Sequence, residues 1–262
     1  MRDTVAEVRP DLLSLAAEVV GEDPFARVDD GTKFAQPAIF CASLAGWAAL
    51  GRPCGEFMAG HSLGELAALV AAGCLRERDG LELVALRGRL MQDSGERAGD
   101  GSMLALLGAG AADHAPELAE SHGLAVANDN SPQQVVLSGE RSAFEGATAA
   151  AKELGLRAME LPVTGAFHSP MMAEAVPEFS AALERVEVAA PQQVTVFSAV
   201  SAAPFEDVRE QLAQALTMPV RWRETLLAMR ERGAERFVEV GPGRVLTGLV
   251  KRTLRDVELA SA

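Results

Sequence analysis

Several residue types that often carry function are scarce in this chain. It has no tyrosine, two tryptophans, four histidines and three cysteines in 262 residues. The histidines and cysteines show no H-E-x-x-H or C-x-x-C spacing, so we expect no metal site and no bound cofactor. The cysteines (Cys41, Cys54 and Cys74) are typical of reduced thiols, which favours a cytoplasmic location.

Long apolar runs and positive charge are also scarce. No run is long enough to span a membrane, and no signal-peptide core follows the first four residues, so we expect no membrane partner. Lysine and arginine number 24 against 37 aspartates and glutamates, which gives a net charge of −13. This charge argues against nucleic-acid binding, which needs a basic face.

What the chain does have is apolar content for a sizeable core. Hydrophobic residues make up 48% of the sequence, and the mean hydropathy is +0.10. A chain of this length and composition can form one large globular domain or two smaller ones.

Residues 60–65 read G-H-S-L-G-E and are the most informative segment. They follow a short apolar run at 56–59 and precede an Ala- and Leu-rich run at 66–72, which is the strand, turn and helix order of a nucleophile elbow. In that turn Ser62 is the candidate nucleophile, and the backbone N–H of Leu63 points to where an oxyanion would form. Three such small residues recur by chance in about one chain in ten of this length, so the context must add support.

The periodicity of the chain predicts an α/β fold with a parallel sheet, whose sites lie at the carboxyl ends of the strands. We expect helices at 11–20, 38–50, 79–92, 169–186, 205–216, 222–231 and 246–254, strands at 56–59 and 194–199, and a buried strand at 237–240. A polar break at 94–101 precedes a β-α-β-β-α-β order, which is ferredoxin-like. We therefore expect a core of 1–100 and 164–262 and an inserted subdomain of 101–163. The subdomain's predicted strands are 103–107, 124–127, 134–137 and 157–163, its helices are 111–122 and 142–154, and residues 128–132 form a loop.

A serine nucleophile needs a base, and the histidines can be compared by position. His61 lies in the elbow turn, poorly placed to take the Ser62 proton, and His114 and His122 lie in polar helix sequence. His168 lies in a turn-prone stretch after a strand. Elimination leaves His168 as the candidate base, although a single histidine is more often structural.

Arg87 is unusual because it lies within a largely apolar helix face. Its side chain could form an ordinary surface ion pair. Alternatively, its guanidinium could hold a substrate carboxylate with two parallel hydrogen bonds.

Seven segments together resemble the malonyl-CoA:acyl carrier protein transacylase family of fatty-acid and polyketide synthesis. They are residues 36–39, 60–65, 87–92, 128–132, 165–172, 219–222 and 239–243. They occur in family order over nearly the whole chain. The resemblance implies a hydrolase-like α/β core with an inserted ferredoxin-like subdomain. It also implies malonyl-CoA and acyl carrier protein as partners, and a monomer.

The resemblance assigns roles to individual residues. It implies that Ser62 attacks the malonyl thioester, that His168 transfers the proton, and that Arg87 binds the free carboxylate. It implies that the histidine is oriented by a backbone carbonyl, which maps to Ala215, where the family often has glutamine.

The resemblance also implies a selectivity pair and further lining residues. Phe167 and Leu63 are expected to favour malonyl over methylmalonyl groups, because a ring beside the α-carbon leaves no room for a branch. Gln36, His61 and Asn130 are expected to line the site.

One departure concerns the N-terminus. The family opens with an apolar strand ending in Phe-Pro-Gly-Gln-Gly-Ser-Gln, whose first Gln supplies the second oxyanion N–H, and residues 1–4 match the helix that follows it. Losing one such donor costs about 2.7–4 kcal/mol of transition-state stabilisation. We expect Met1 to be an internal methionine. We expect a chain truly this short to show weak or no transfer and poor solubility.

Two alternative functions remain open on sequence grounds. A crippled form could bind CoA or a carrier protein without catalysis, as the missing loop suggests. A serine esterase or thioesterase would use the same Ser62 and His168, but it has no use for Arg87 with a neutral acyl chain. The 94 residues that follow His168 also differ from the C-terminal histidine usual in such hydrolases.

Overall fold

The computed structural model describes residues 1–191 and 193–261, which form a mixed α/β structure. The helices are α1 (Arg2–Val8), α2 (Pro10–Val20), α3 (Thr32–Ala49), α4 (Gly64–Ala71), α5 (Glu77–Ala98), α6 (Ala111–Ser121), α7 (Phe144–Glu153), α8 (Val176–Leu183), α9 (Val208–Gln214), α10 (Trp222–Glu231) and α11 (Val245–Thr253). The strands are β1 (Phe57–Ala59), β2 (Gly101–Leu107), β3 (Ala125–Ser131), β4 (Gln134–Glu140), β5 (Arg157–Glu160), β6 (Thr195–Ser198), β7 (Ala203–Pro204), β8 (Arg236–Glu239) and β9 (Glu258–Ser261).

The core contains parallel strand pairs covered by helices. β1 pairs in parallel with β6, which also pairs antiparallel with β7, while β8 pairs in parallel with β9 in a separate sheet. Apolar side chains of α3, α4 and α5, including the fully buried Phe40, Leu69 and Leu81, form the main hydrophobic cluster behind β1. Leu63, in the loop after β1, packs against this cluster.

The sheet of the predicted subdomain is antiparallel, with the strand order β3-β4-β2-β5. Helices α6 and α7 share one hydrophobic cluster with the sheet, in which Leu118 and Phe144 of the helices are buried together with Leu104, Leu106 and Leu137 of the strands. The β-α-β-β-α-β order and this pairing are ferredoxin-like, as the periodicity predicts. The division of the chain at 101 and 163 stays a prediction.

The segment 128–132 is not the expected loop, because β3 extends through it to Ser131. Two register irregularities interrupt its pairing with β4, and Asn128 forms a parallel bridge with Val220. Val220 donates its N–H to the Ala127 carbonyl and accepts from Asp129, each at 2.8–2.9 Å. Tertiary pairing therefore makes a strand from residues whose composition favours a turn.

The predicted break at 94–101 is also wrong, because α5 continues through it to Ala98. Ser94 and Gly95 are buried, and a Cβ on Gly95 would lie 2.5 Å from the Thr164 carbonyl oxygen. Gly95 is thus required by close packing rather than by a chain break. Likewise, α3 begins at Thr32 instead of residue 38 and continues through Pro37, its sixth residue, where a proline costs the helix one backbone hydrogen bond.

The strand predicted as buried at 237–240 is β8, and it is more exposed than expected. Val238 is 39% exposed and Phe237 is half-buried, because β8 pairs only with β9 among the described residues. No helix among those residues is both long and apolar enough to cross a membrane.

Candidate active site

The turn between β1 and α4 holds Ser62 in a strained conformation. Ser62 has a φ of 54°, which is uncommon for a residue with a side chain. A Cβ on Gly60 would lie 1.8 Å from the Gly64 backbone carbon, so only glycine fits there. Gly64 has open space around its Cα, so its place in the motif is not explained by crowding. The turn therefore places the Ser62 hydroxyl at the start of a helix, as a nucleophile elbow does.

A hydrogen-bonded chain connects Ser62 to a histidine and a backbone carbonyl. Ser62 Oγ lies 2.9 Å from His168 Nε2, and His168 Nδ1 lies 2.8 Å from the Ala215 carbonyl oxygen. A carbonyl only accepts, so Nδ1 carries the hydrogen and Nε2 is left free to receive the Ser62 proton. This is the geometry of an activated serine, with a carbonyl in the place of an acid.

The environment keeps His168 neutral. Burial, together with the positive charge of Arg87, lowers the pKa of His168 to about 3. A neutral imidazole is the form that acts as a base, so the site is ready to accept a proton at neutral pH.

We therefore expect the rate of serine acylation to show no His168 titration near the ordinary histidine pKa of 6.5. The base should be lost only toward pH 3, and measuring single-turnover acylation from pH 5 to 8 checks this. Stability has a related dependence, because between pH 6.5 and about 3 the unfolded chain binds a proton that the folded site excludes. The free energy of unfolding therefore has its full value above pH 6.5 and decreases as the pH is lowered from 6.5 toward 3. An acylation rate that halves at pH 6.5 would contradict the assignment of His168 as a buried base that stays neutral at that pH.

Arg87 is a buried cation beside the nucleophile. Its side chain is 3% exposed, and its guanidinium donates to Gln36 Oε1 at 2.9 Å and to Ser62 Oγ at 3.1 Å. Burial lowers the pKa of Arg87 to about 10, so the group stays protonated at neutral pH. It forms no ion pair with a carboxylate in the part of the chain described. The charge of nearby Glu65 opposes this lowering of the pKa, but the hydrogen-bond partners of Arg87 are neutral, so the guanidinium is suited to receive an anion.

Glu65, which the sequence analysis names only as part of the motif, is buried beneath the elbow. It is 1% exposed, and its Oε1 accepts the Ala199 backbone N–H at 2.7 Å. Burial raises the pKa of Glu65 to about 7, while the Ala199 hydrogen bond and Arg87 oppose that rise. Glu65 thus ties the nucleophile helix to the end of β6. The sequence signal that could have identified Glu65 is the acidic residue at the end of the GHSLGE motif.

Replacing Glu65 by alanine should destabilise the fold by about 1–3 kcal/mol, because the Ala199 N–H loses its buried acceptor. Glu65→Gln retains an acceptor and should cost less. Urea unfolding of both variants at pH 8 measures the difference. Equal losses from the two substitutions would show that the hydrogen bond is not what matters.

Two of the predicted lining residues contact each other across the predicted subdomain boundary. His61 Nε2 lies 2.7 Å from Asn130 Oδ1, and the His61 ring meets the Trp222 ring edge-on at 5.6 Å. Burial lowers the pKa of His61, so this ring is also neutral. His61 therefore joins the elbow to β3 and α10 and does not bond to Ser62.

The two predicted selectivity residues are positioned differently. Leu63 is half-buried in the elbow next to Ser62. Phe167 is almost fully buried, and its ring lies 2.8 Å from where a Cβ on Gly165 would sit. Gly165 has a φ of 137°, so the ring fills space that any other residue at that position would occupy.

Comparisons with known proteins agree with this arrangement. A family model described as "Acyl transferase domain" matches residues 13–262. The chain is 36% identical over 272 residues to a polyketide biosynthesis malonyl CoA-acyl carrier protein transacylase, BaeC, of Bacillus velezensis, covering 96% of this chain and 91% of that protein. It is 38% identical to the polyketide biosynthesis protein ThaF of Burkholderia thailandensis, covering 94% of this chain but spanning only 22% of that protein. Among solved structures, FabD from Acinetobacter baumannii superposes with a TM-score of 0.89 at 34% identity, covering 100% of this chain and 88% of that one.

Proposed function

The chain belongs to the acyl transferase family, and from this we propose that it transfers a malonyl group from malonyl-CoA to the phosphopantetheine thiol of an acyl carrier protein. The observation that carries this proposal is the position of Arg87. A buried guanidinium, with no carboxylate hydrogen-bonded to it among residues 1–191 and 193–261, lies 3.1 Å from the nucleophile oxygen. Such a cation has a purpose if the acyl group carries a free carboxylate, as a malonyl group does.

The first half-reaction follows from the hydrogen-bonded chain. Ser62 Oγ attacks the thioester carbonyl carbon while its proton passes to His168 Nε2, and the Leu63 N–H stabilises the oxyanion. The C–S bond then breaks, and His168 returns the proton to the CoA thiolate. The product is a malonyl ester on Ser62, with Ala215 holding the imidazole in place throughout.

The second half-reaction reverses these roles. The carrier-protein thiol gives its proton to His168 Nε2 and attacks the ester carbonyl. Ser62 leaves as the alcohol after taking the proton back from His168. During both steps Arg87 exchanges its bond to Ser62 Oγ for the malonyl carboxylate, which keeps the reacting carbonyl beside the nucleophile.

Selectivity for malonyl over branched groups is part of the proposal. The tightly packed Phe167 and the half-buried Leu63 leave little freedom beside the base and the nucleophile. One extra methyl group in an apolar pocket changes discrimination by about 1–3 kcal/mol, so we expect a preference rather than an absolute rule.

Intact-protein mass spectrometry tests the proposal directly. Incubation with malonyl-CoA should add one malonyl group, and adding a carrier protein with its phosphopantetheine arm should remove it from the enzyme and load it onto the carrier. Hydrolysis without transfer to the carrier would support an esterase instead. A folded protein that gains no adduct would contradict the proposal for this chain.

A further inference from the structure

Two neighbouring residues of β3 meet two neighbouring residues at the start of α10. The Asp129 carboxylate accepts two parallel hydrogen bonds from Arg223, from Nε to Oδ1 at 2.9 Å and from Nη2 to Oδ2 at 2.7 Å. The adjacent residues, Asn130 and Trp222, both contact the ring of His61. The ion pair therefore joins the two segments that hold this ring between them. We call these four residues of β3 and α10 the β3–α10 clamp.

The ion pair of the clamp is partly buried. The Asp129 side chain is 14% exposed and that of Arg223 is 30% exposed. Arg221 and Glu224 form another ion pair at the start of α10, but their side chains are 36% and 40% exposed. A two-pronged pair with a mostly buried acid is weakened less by solvent than a surface pair, and it holds its partners in one geometry.

Backbone hydrogen bonds join the same two segments. Asp129 donates its N–H to the Val220 carbonyl at 2.9 Å, and Val220 donates its N–H to the Ala127 carbonyl at 2.8 Å. These bonds hold the chain that leads into α10. Arg223 is the second residue of α10, so the ion pair adds a contact within the first turn of the helix. The side chains thus connect the helix itself to β3.

The ring that the clamp holds belongs to the residue before the nucleophile. His61 Nε2 lies 2.7 Å from Asn130 Oδ1, so Nε2 carries the hydrogen. Trp222 packs edge-on against the same ring. Ser62 has a φ of 54°, and such a conformation persists only when its surroundings hold it in place. The two contacts to His61 supply part of that support.

We propose that Asp129 and Arg223 are positioning residues for Ser62, acting through the ring of His61. The inference rests on the proposed function, in which Ser62 is the nucleophile. Neither side chain of the ion pair is hydrogen-bonded to Ser62 or Arg87 in the part of the chain that the structure describes. The pair should therefore affect how fast Ser62 reacts and not which acyl donor is preferred.

Single-turnover acylation of Asp129→Ala and Arg223→Ala by malonyl-CoA and by acetyl-CoA tests this inference. Each variant should react about tenfold more slowly with both donors, because a displacement of roughly 1 Å costs about 100-fold and a loosened contact displaces Ser62 less. The malonyl-to-acetyl ratio should stay unchanged, unlike the ratio of Arg87→Ala. The double variant should be no slower than either single variant, since the two side chains act through each other.

Two further variants make the test specific. Arg223→Lys keeps the charge but loses the parallel hydrogen bonds, so it should recover part of the rate. Glu224→Ala is the matched control, because it removes the acidic partner of the other arginine at the start of α10. This control should acylate like the unchanged protein. Circular dichroism shows whether each variant is folded.

NMR of protein with isotope-labelled histidine tests the clamp without any acyl donor. The His61 Nε2–H signal should be visible in the unchanged protein and should be lost through exchange with water in each alanine variant of the ion pair. The His168 Nδ1–H is bonded to the Ala215 carbonyl and should persist in all of them as an internal reference. An unchanged protein without a malonyl adduct would contradict the proposed function, and the His61 signal would still decide whether the clamp holds the ring.

Several results would overturn the proposal. A His61 signal retained in both alanine variants would show that the ion pair does not hold the ring. Unchanged acylation rates in folded but less stable variants would make the pair merely structural. Additive losses in the double variant would show that the two side chains act separately. A changed malonyl-to-acetyl ratio would place their effect at Arg87 instead of Ser62.

Discussion

Replacing Ser62 by alanine is expected to abolish malonyl labelling and to lower the transfer rate by at least about 10⁴-fold. Among the described residues, the Ser62 hydroxyl is the one that is hydrogen-bonded to a histidine base, since its oxygen is 2.9 Å from His168 Nε2, and the strained turn at Ser62 presents it. Intact mass after incubation with malonyl-CoA measures the adduct. Circular dichroism shows whether the variant is folded.

Ser142→Ala is a suitable control for this experiment. Ser142 is exposed near the start of α7, and its hydroxyl makes only a long contact of 3.5 Å with Glu140. This variant should label like the unchanged protein. If Ser62→Ala still gained a malonyl group, the nucleophile would have to be another residue.

The second large effect is expected from Arg87→Ala, which should reduce acylation by malonyl-CoA about 10-fold to 150-fold. A charge-assisted pair with a carboxylate contributes roughly 1.5–3 kcal/mol, and each 1.4 kcal/mol is tenfold. Acylation by acetyl-CoA lacks the carboxylate and should fall far less. The measurement is therefore the ratio of malonyl to acetyl adduct at matched donor concentrations. Loss of the contact between Arg87 and Ser62 affects both donors alike, so a change in the ratio reports carboxylate binding alone.

Two further variants sharpen this prediction. Arg89 lies two residues further along the same helix, and its side chain is 48% exposed and pairs with Glu178. Arg89→Ala should therefore leave the malonyl-to-acetyl ratio unchanged. Arg87→Lys keeps a charge but loses the two-pronged geometry, and it should recover only part of the selectivity. A malonyl-to-acetyl ratio unaffected by Arg87→Ala would show that Arg87 does not bind the acyl carboxylate.

Local sequence was informative wherever short-range chemistry controls structure. The residues around Ser62 predict the turn because only a glycine fits at position 60, and α10 begins and ends where its periodicity predicts. The ferredoxin-like order was also readable, since each strand and helix has its own hydrophobic period. Comparing the four histidines by position identified His168 as the candidate base, but only the structure shows that it lies within hydrogen-bond distance of Ser62.

Local signals failed where a distant contact outweighs composition. Residues 128–131 look like a turn, yet pairing with Val220 makes them part of β3. Ser94 and Gly95 look like a break, but they are buried where α5 passes close to Thr164. In both places, long-range hydrogen bonds or close packing contribute more free energy than the weak local preference.

The sequence by itself determined the reactive groups: a serine on an elbow, a histidine and an arginine, in an order typical of one family. Only the tertiary structure decided their states. Burial makes His168 neutral and leaves Arg87 charged, with neutral hydrogen-bond partners in the described part of the chain, and both states depend on segments far apart in sequence. Desolvation is a property of the packed chain, so no local pattern encodes it.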